Sequence, residues 1–267
     1  MLAKLLKNEL RSTSRILGLL SLGALAVGGM GGLMLRYIVS YVDTGKEGAL
    51  VILVSMMLMF VFLALICYSF GGRIYLYYQF YRRKYTDEGY LTFTLPAHSW
   101  QIFFSSLLNI LLWSVVIGLV LILSLVLIFL IGLINSEFFR DMRQAMTQME
   151  DFFQYEFYGS IPKFNTPLML ISGVLDSISS DIVVMTCITL GAIVAKKRKL
   201  LGSVGVYFGY SMLSNSITST FMNLYLSGNT EVNINNYYIF MIIYTLIIAV
   251  GGSFLSCWIM KRKLNLP

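Results

Sequence analysis

Residues 102 to 134, "IFFSSLLNILLWSVVIGLVLILSLVLIFLIGLI", run for 33 positions without one Asp, Glu, Lys or Arg. At about 1.5 Å of rise per residue this is close to 50 Å of helix, more than a hydrocarbon core of about 30 Å accommodates even with tilt. Such a run does not belong in a soluble core, and part of it is expected to project outward. Five more apolar runs occupy residues 16–38, 49–71, 168–195, 200–226 and 237–260, several with no more than one charge. Helices of this length satisfy their own backbone polar groups in lipid, which makes them the natural reading. A transmembrane barrel would show short alternating segments, and none occurs. Composition agrees, because 57% of residues are hydrophobic and 12% charged, against about 25% charged in ordinary soluble domains. The expectation is an all-α integral membrane protein in which residues 1–267 form a single domain, with no internal repeat.

The net charge of +7 could point to nucleic acid. However, fifteen of the 20 Lys and Arg fall in four clusters that flank apolar runs, where the positive-inside rule places them. Lys4, Lys7, Arg11 and Arg15 form the first cluster, and Arg73, Arg82, Arg83 and Lys84 the second. "KKRK" at 196–199 and "KRK" at 261–263 complete the set. The intervening loops carry Asp43, Glu47, Glu137, Asp141, Glu150, Asp151, Glu156 and Glu231. Both termini and the 72–101 loop are therefore assigned to the cytoplasm, six crossings fit that parity, and the bilayer rather than nucleic acid is the partner of the basic residues.

Leu2, Leu5, Leu6 and Leu10 share one helical face and Lys4, Lys7, Arg11 and Arg15 another, a pattern that predicts an interfacial helix over 1–15 ahead of the first span. The basic start followed by Ala24-Leu25-Ala26 imitates a signal peptide. Because the apolar run continues through "VGGMGGLML", it is read as a retained first helix. The outer loop over 135–167 is rich in helix formers and aromatics, which suits either a short helix over the outer mouth or a membrane-hugging connection. Cys67, Cys187 and Cys257 lie in apolar stretches without metal-ligand or paired spacing, so buried free thiols are expected.

Enzymatic chemistry finds little support. The single histidine, His98, follows Pro96 in a loop, where it reads as a surface residue. H-E-x-x-H, G-x-S-x-G and G-x-x-x-x-G-K-[ST] patterns do not occur, so neither a protease nor a self-contained nucleotide site is expected. Polarity inside the spans is more informative. Counting back from "KKRK", Asp181 lies about 21 Å in and Asp176 nearly 30 Å in. Asp176 is thus interfacial, whereas Asp181 falls within the hydrocarbon, where an ionisable side chain marks a cavity or a helix partner. In the fifth run Ser211, Ser214, Asn215 and Thr218 stand at i, i+3, i+4 and i+7. With Asp181 they form a candidate translocation path. Such a stripe also holds helices together, and Gly202, Gly205 and Gly209 favour that reading, as the glycines of "GGMGG" do in the first run.

Between the second and third runs, "RIYLYYQFYRRKY" is basic and aromatic, as suits the headgroup level. "TDEGYLTFTLP" follows, at 86–96. Its glycine and proline bracket a short amphipathic piece, a docking element or a structured connector. At this point the chain resembles the permease subunits of ABC transporters, in the six-span exporter superfamily whose subunits begin with an interfacial helix. Those permeases carry an acidic residue, a glycine, leucines and a proline before the third span, in the order of Glu88, Gly89, Leu91, Leu95 and Pro96. "DEGYLTFTLP" is similar to the version in small Gram-positive bacterial permeases. A basic residue that such permeases carry shortly after the proline has no counterpart, since Ser105 and Ser106 stand there.

The resemblance implies that this loop is a coupling helix seated in a cytosolic ATPase subunit. Asp87 and Glu88 would meet basic side chains, Gly89 would supply a tight backbone position, and Leu91, Phe93 and Leu95 would make the apolar contact ahead of Pro96. It also implies two ATPase copies that bind ATP and Mg, no cofactor bound by this chain itself, and a second permease copy or related permease, with the first and fifth spans at their interface. The chain would be an exporter subunit of the plasma membrane and not itself an enzyme, its cargo a peptide, drug or lipid-like molecule. Two other readings stand beside it: a non-transporting sensor or immunity protein that binds a peptide at its outer loop, and an ion-coupled transporter using Asp181. The second ordinarily shows repeated halves.

Overall fold

A computed structural model describes residues 2–43, 48–86, 98–132, 144, 166–195, 199–228 and 234–262. Among them lie six long helices and no strand: α1 (Leu2–Asp43), α2 (Ala49–Tyr85), α3 (Ser99–Gly132), α4 (Thr166–Val194), α5 (Lys199–Gly228) and α6 (Ile234–Arg262). All but α5 are long and apolar enough to cross a membrane. The serines, threonines and asparagine of its polar stripe lower its apolarity, so the expected fifth span stands apart from the others. The described residues are thus all-helical, with five apolar helices compatible with a multi-pass membrane protein.

Two expectations change. α1 is one continuous helix of 42 residues, so 1–15 is not a separate element. Its amphipathic start persists within it: Lys4, Lys7, Arg11 and Arg15 are exposed, while Glu9 and Thr13 are buried on the other face. The loop expected over 72–101 is helical to Tyr85, because α2 carries its basic cluster in its own last turns. Lys and Arg at that end are favourable to the helix dipole, so charge there does not end a helix. The coupling residues Asp87, Glu88, Gly89, Leu91, Phe93, Leu95 and Pro96 and the outer loop over 135–167, except Gln144, Thr166 and Pro167, lie outside the described residues.

The helices group into two compact units. One comprises Lys7–Leu76 and Leu112–Tyr155. Here α1 packs on α3 through a strip of small residues, Ser21, Ala24, Gly28, Gly31 and Gly32. A Cβ at Gly28 would come within 2.9 Å of that of Ser124, and one at Gly32 within 2.8 Å of Ile131. The expected packing role of "GGMGG" is therefore seen, except at Gly29, which faces open space. Ser124 donates to its own Val120 carbonyl at 2.8 Å and lies 3.3 Å from that of Ala24. Ser21 and Tyr68 share a 2.9 Å hydrogen bond that adds α2 to the contact. Ala24, Val61, Leu65, Val120 and Ile128 form the core. Outside it, Met59, Phe60 and Leu63 are exposed, as lipid-facing side chains are. Cys67 is exposed too, on the thinly covered α2 rather than buried as expected.

The other unit comprises Met1–Leu6, Tyr77–Leu111 and Glu156–Pro267. Its centre is α4, of whose most apolar stretch 56% is buried, against 17% for α6. Contact with α6 runs through hydroxyls: Thr186 donates to Ile182 O at 2.7 Å, Ser256 to Thr186 Oγ1 at 3.0 Å, and Thr189 lies 3.4 Å from Ser256. Gly252 lets α6 approach, since its carbonyl lies 3.2 Å from Thr186 Oγ1. Contact with α5 depends on Gly191, where any Cβ would overlap the backbone of Ser203. Small residues and shared hydroxyls are what bring helices together where lipid supplies no hydrophobic drive.

Candidate functional site

Three helices of this second unit enclose a groove of about 360 Å³. α4 contributes Asp176, Ser179, Ser180 and Val183. α5 contributes Tyr207, Tyr210, Ser211, Ser214, Asn215 and Thr218, and α6 contributes Tyr237, Met241, Tyr244, Thr245 and Ile248. The spacing explains the convergence. On α5 the positions fall at i, i+3, i+4, i+7, i+8 and i+11, and on α6 at i, i+4, i+7, i+8 and i+11, one face of a helix in each case. Eleven residues of helix give the groove a length of about 16 Å.

The groove walls are tied together by aromatic side chains. Tyr244 of α6 donates to Ser214 Oγ of α5 at 2.9 Å. Beside it, Phe221 and Phe240 stack at 3.6 Å between ring centroids, and Phe240 stacks in turn on Tyr244 at 5.9 Å. Several Ser and Thr hydroxyls of the groove donate to their own helix: Ser211 to Phe208 O at 3.0 Å, Thr218 to Ser214 O at 3.0 Å, and Thr245 to Met241 O at 2.8 Å. A hydroxyl has one proton and two lone pairs, so those oxygens retain accepting capacity.

The residues singled out in the sequence thus separate. Ser211, Ser214, Asn215 and Thr218 come together on the groove, where Ser214 also makes a helix contact. Of the glycines expected to pack α5, Gly202 does so, against Ala195 and Gly191, whereas Gly205 and Gly209 face open space. Asp181 does not line the groove. It is 1% exposed, and Tyr77 donates to its Oδ1 at 2.5 Å. Asp176, treated as interfacial, is the carboxylate on the groove. The four groove tyrosines escaped notice, although Tyr207 and Tyr210 extend the Ser211/Ser214 stripe by one turn.

The last turns of α2 are anchored to this unit at two points. Tyr77 meets α4 at Asp181, and Lys199, the first residue of α5, donates from Nζ to the Tyr85 carbonyl at 3.1 Å. That lysine both satisfies an orphan carbonyl and complements the helix dipole. A second cavity, of about 340 Å³, lies between the start of α3 and the end of α6. Its lining includes His98, Trp100, Trp258 and Lys261. The His98 carbonyl accepts from Gln101 N–H at 2.8 Å, opening α3. Compared with known proteins, the chain matches no protein-family model, no curated protein and no solved structure.

Proposed function

We propose that the chain is the membrane subunit of an ATP-driven exporter of the plasma membrane, with the groove between α4, α5 and α6 as part of the solute path. The observation that carries this reading is that the polar face of α5 opens onto a 360 Å³ groove instead of being closed by a neighbouring helix. Hydroxyls and an amide are costly to leave facing hydrocarbon, and a water-lined or solute-lined groove removes that cost. In this reading α5 crosses too, as the fifth of six spans, and both termini lie inside, as the basic clusters favour. ATP hydrolysis belongs to a cytosolic partner, engaged by Asp87, Glu88, Gly89, Leu91, Phe93, Leu95 and Pro96. Nucleotide-driven movement there shifts the population between states of the groove.

A second permease copy fits the far side of α5. Gly205, Gly209 and Met212 recur every three or four residues on the face turned from the groove, where a Cβ at either glycine would meet open space and Met212 is 71% exposed. Small residues four apart let a second helix approach closely. The deciding experiment is affinity purification from the native membrane. A cytosolic ATPase that accompanies the wild-type chain and is lost with Glu88→Lys or Gly89→Pro supports the exporter. A chain that purifies without an ATPase, and whose activity survives both changes, overturns it.

A further inference from the structure

We infer that the groove between α4, α5 and α6 is a site for organic cations, an ammonium group carried on an apolar or aromatic body. The inference rests on the groove being a solute path and names the class of solute. Asp176 is the one ionisable group other than tyrosine on the described lining, and it is exposed to the groove. Among the described residues no Lys, Arg or His joins it there, and its carboxylate makes no ion pair with any of them.

The neutral groups reinforce that sign. Because Ser211, Thr218 and Thr245 give their protons to backbone carbonyls of their own helices, these three meet a ligand with oxygen lone pairs. Beside the Asp176 carboxylate, such acceptors are well matched to an N–H donor. Tyr207, Tyr210, Tyr237 and Tyr244 add ring faces, whose negative quadrupole attracts cations and whose area accepts an apolar body. A carboxylate, unspent acceptors and four phenol rings within 360 Å³ all favour the same ligand. The volume lies near the lower end of small-molecule pockets, about 300–1,000 Å³.

The test uses the full chain in nanodiscs of zwitterionic lipid, with three aromatic probes of similar size at pH 7: benzylammonium, benzyl alcohol and benzoate. Saturation-transfer NMR titration is expected to give benzylammonium at least tenfold tighter binding than either of the others. Asp176→Asn should bring benzylammonium down to the level of benzyl alcohol, and Tyr207→Leu should weaken it several-fold. Asp176 is exposed and its amide analogue isosteric, so folding is not at stake, and unchanged benzyl alcohol binding verifies this. Equal binding of all three probes, or benzylammonium binding unaffected by Asp176→Asn, overturns the cation assignment. It leaves the solute path standing, since water access to the groove is measured separately by thiol labelling and does not depend on the charge of the cargo.

Discussion

The Tyr77 hydroxyl donates to Asp181 Oδ1 across 2.5 Å, joining the last turns of α2 to the middle of α4 with a carboxylate that is 1% exposed. A carboxylate sealed among helices and tied to a phenol is a packing element, and its value should be read in stability. Polar contacts between membrane helices are worth on average about 0.6 kcal/mol and up to about 1.7, and leaving a buried acceptor unmet costs about 1–3. Tyr77→Phe is therefore expected to lower stability in detergent by about 1–2 kcal/mol, measured by thermal or denaturant unfolding. Asp181→Asn, whose amide oxygen still accepts from Tyr77, should cost less than Asp181→Leu and should leave probe binding in the groove unchanged. A loss of groove binding with a well-folded Asp181→Asn variant would restore Asp181 to the path.

Water access to the groove follows from its lining. With Cys67 changed to Ser, single cysteines at Ser211 or Asn215 are expected to react with a small charged thiosulfonate reagent. A cysteine at Leu213, 67% exposed on another side of α5, should stay unmodified in lipid. Equal labelling at all three positions would mean that the groove is no more hydrated than the outer surface.

The glycines of α4 and α5 separate into two kinds. Gly191→Ala drives a methyl group into the backbone of Ser203, and overpacking of this kind costs about 1–3 kcal/mol. Gly205→Ala and Gly209→Ala meet open space and gain up to about 1 kcal/mol of helix propensity. Thermal unfolding in detergent should therefore fall for the first and hold or rise for the others. Gly209→Leu, harmless to the isolated subunit, should reduce self-association measured by energy transfer in liposomes.

The hydroxyl ladder between α4 and α6 predicts a coupling. Thr186→Val and Ser256→Ala each remove one side of a 3.0 Å hydrogen bond, and the double variant should be less destabilised than the sum by about 0.5–1 kcal/mol. Additive losses would assign those hydroxyls to their own backbone carbonyls alone.

What could be read in the sequence was chiefly one-dimensional. Runs expected over 168–195 and 237–260 became Thr166–Val194 and Ile234–Arg262, because apolar length and flanking charge set where a helix lies along the membrane normal. The same reasoning went astray at Arg73, Arg82, Arg83 and Lys84. Charge reports on which side of a membrane a residue sits, whereas Lys and Arg are themselves good helix formers. Depth gave Asp181 a helix partner, which Tyr77 supplies, but it did not place Asp176 on the groove. Asp176 and Asp181 lie five positions apart, which turns them to different sides of α4, and only the packing of α5 and α6 decides which side stays open. The Ser211/Ser214 stripe was legible, but its meeting with Tyr237 and Tyr244 depends on long-range contact that no local periodicity encodes.

The anchorage of α2 has a mechanical consequence. Its end is pinned to α4 through Tyr77 and to α5 through the Tyr85 carbonyl, and those two helices are walls of the groove. A displacement of Tyr77 or of the Tyr85 carbonyl is therefore passed straight to α4 and α5, and so to the width of the space between Asp176 and the tyrosines.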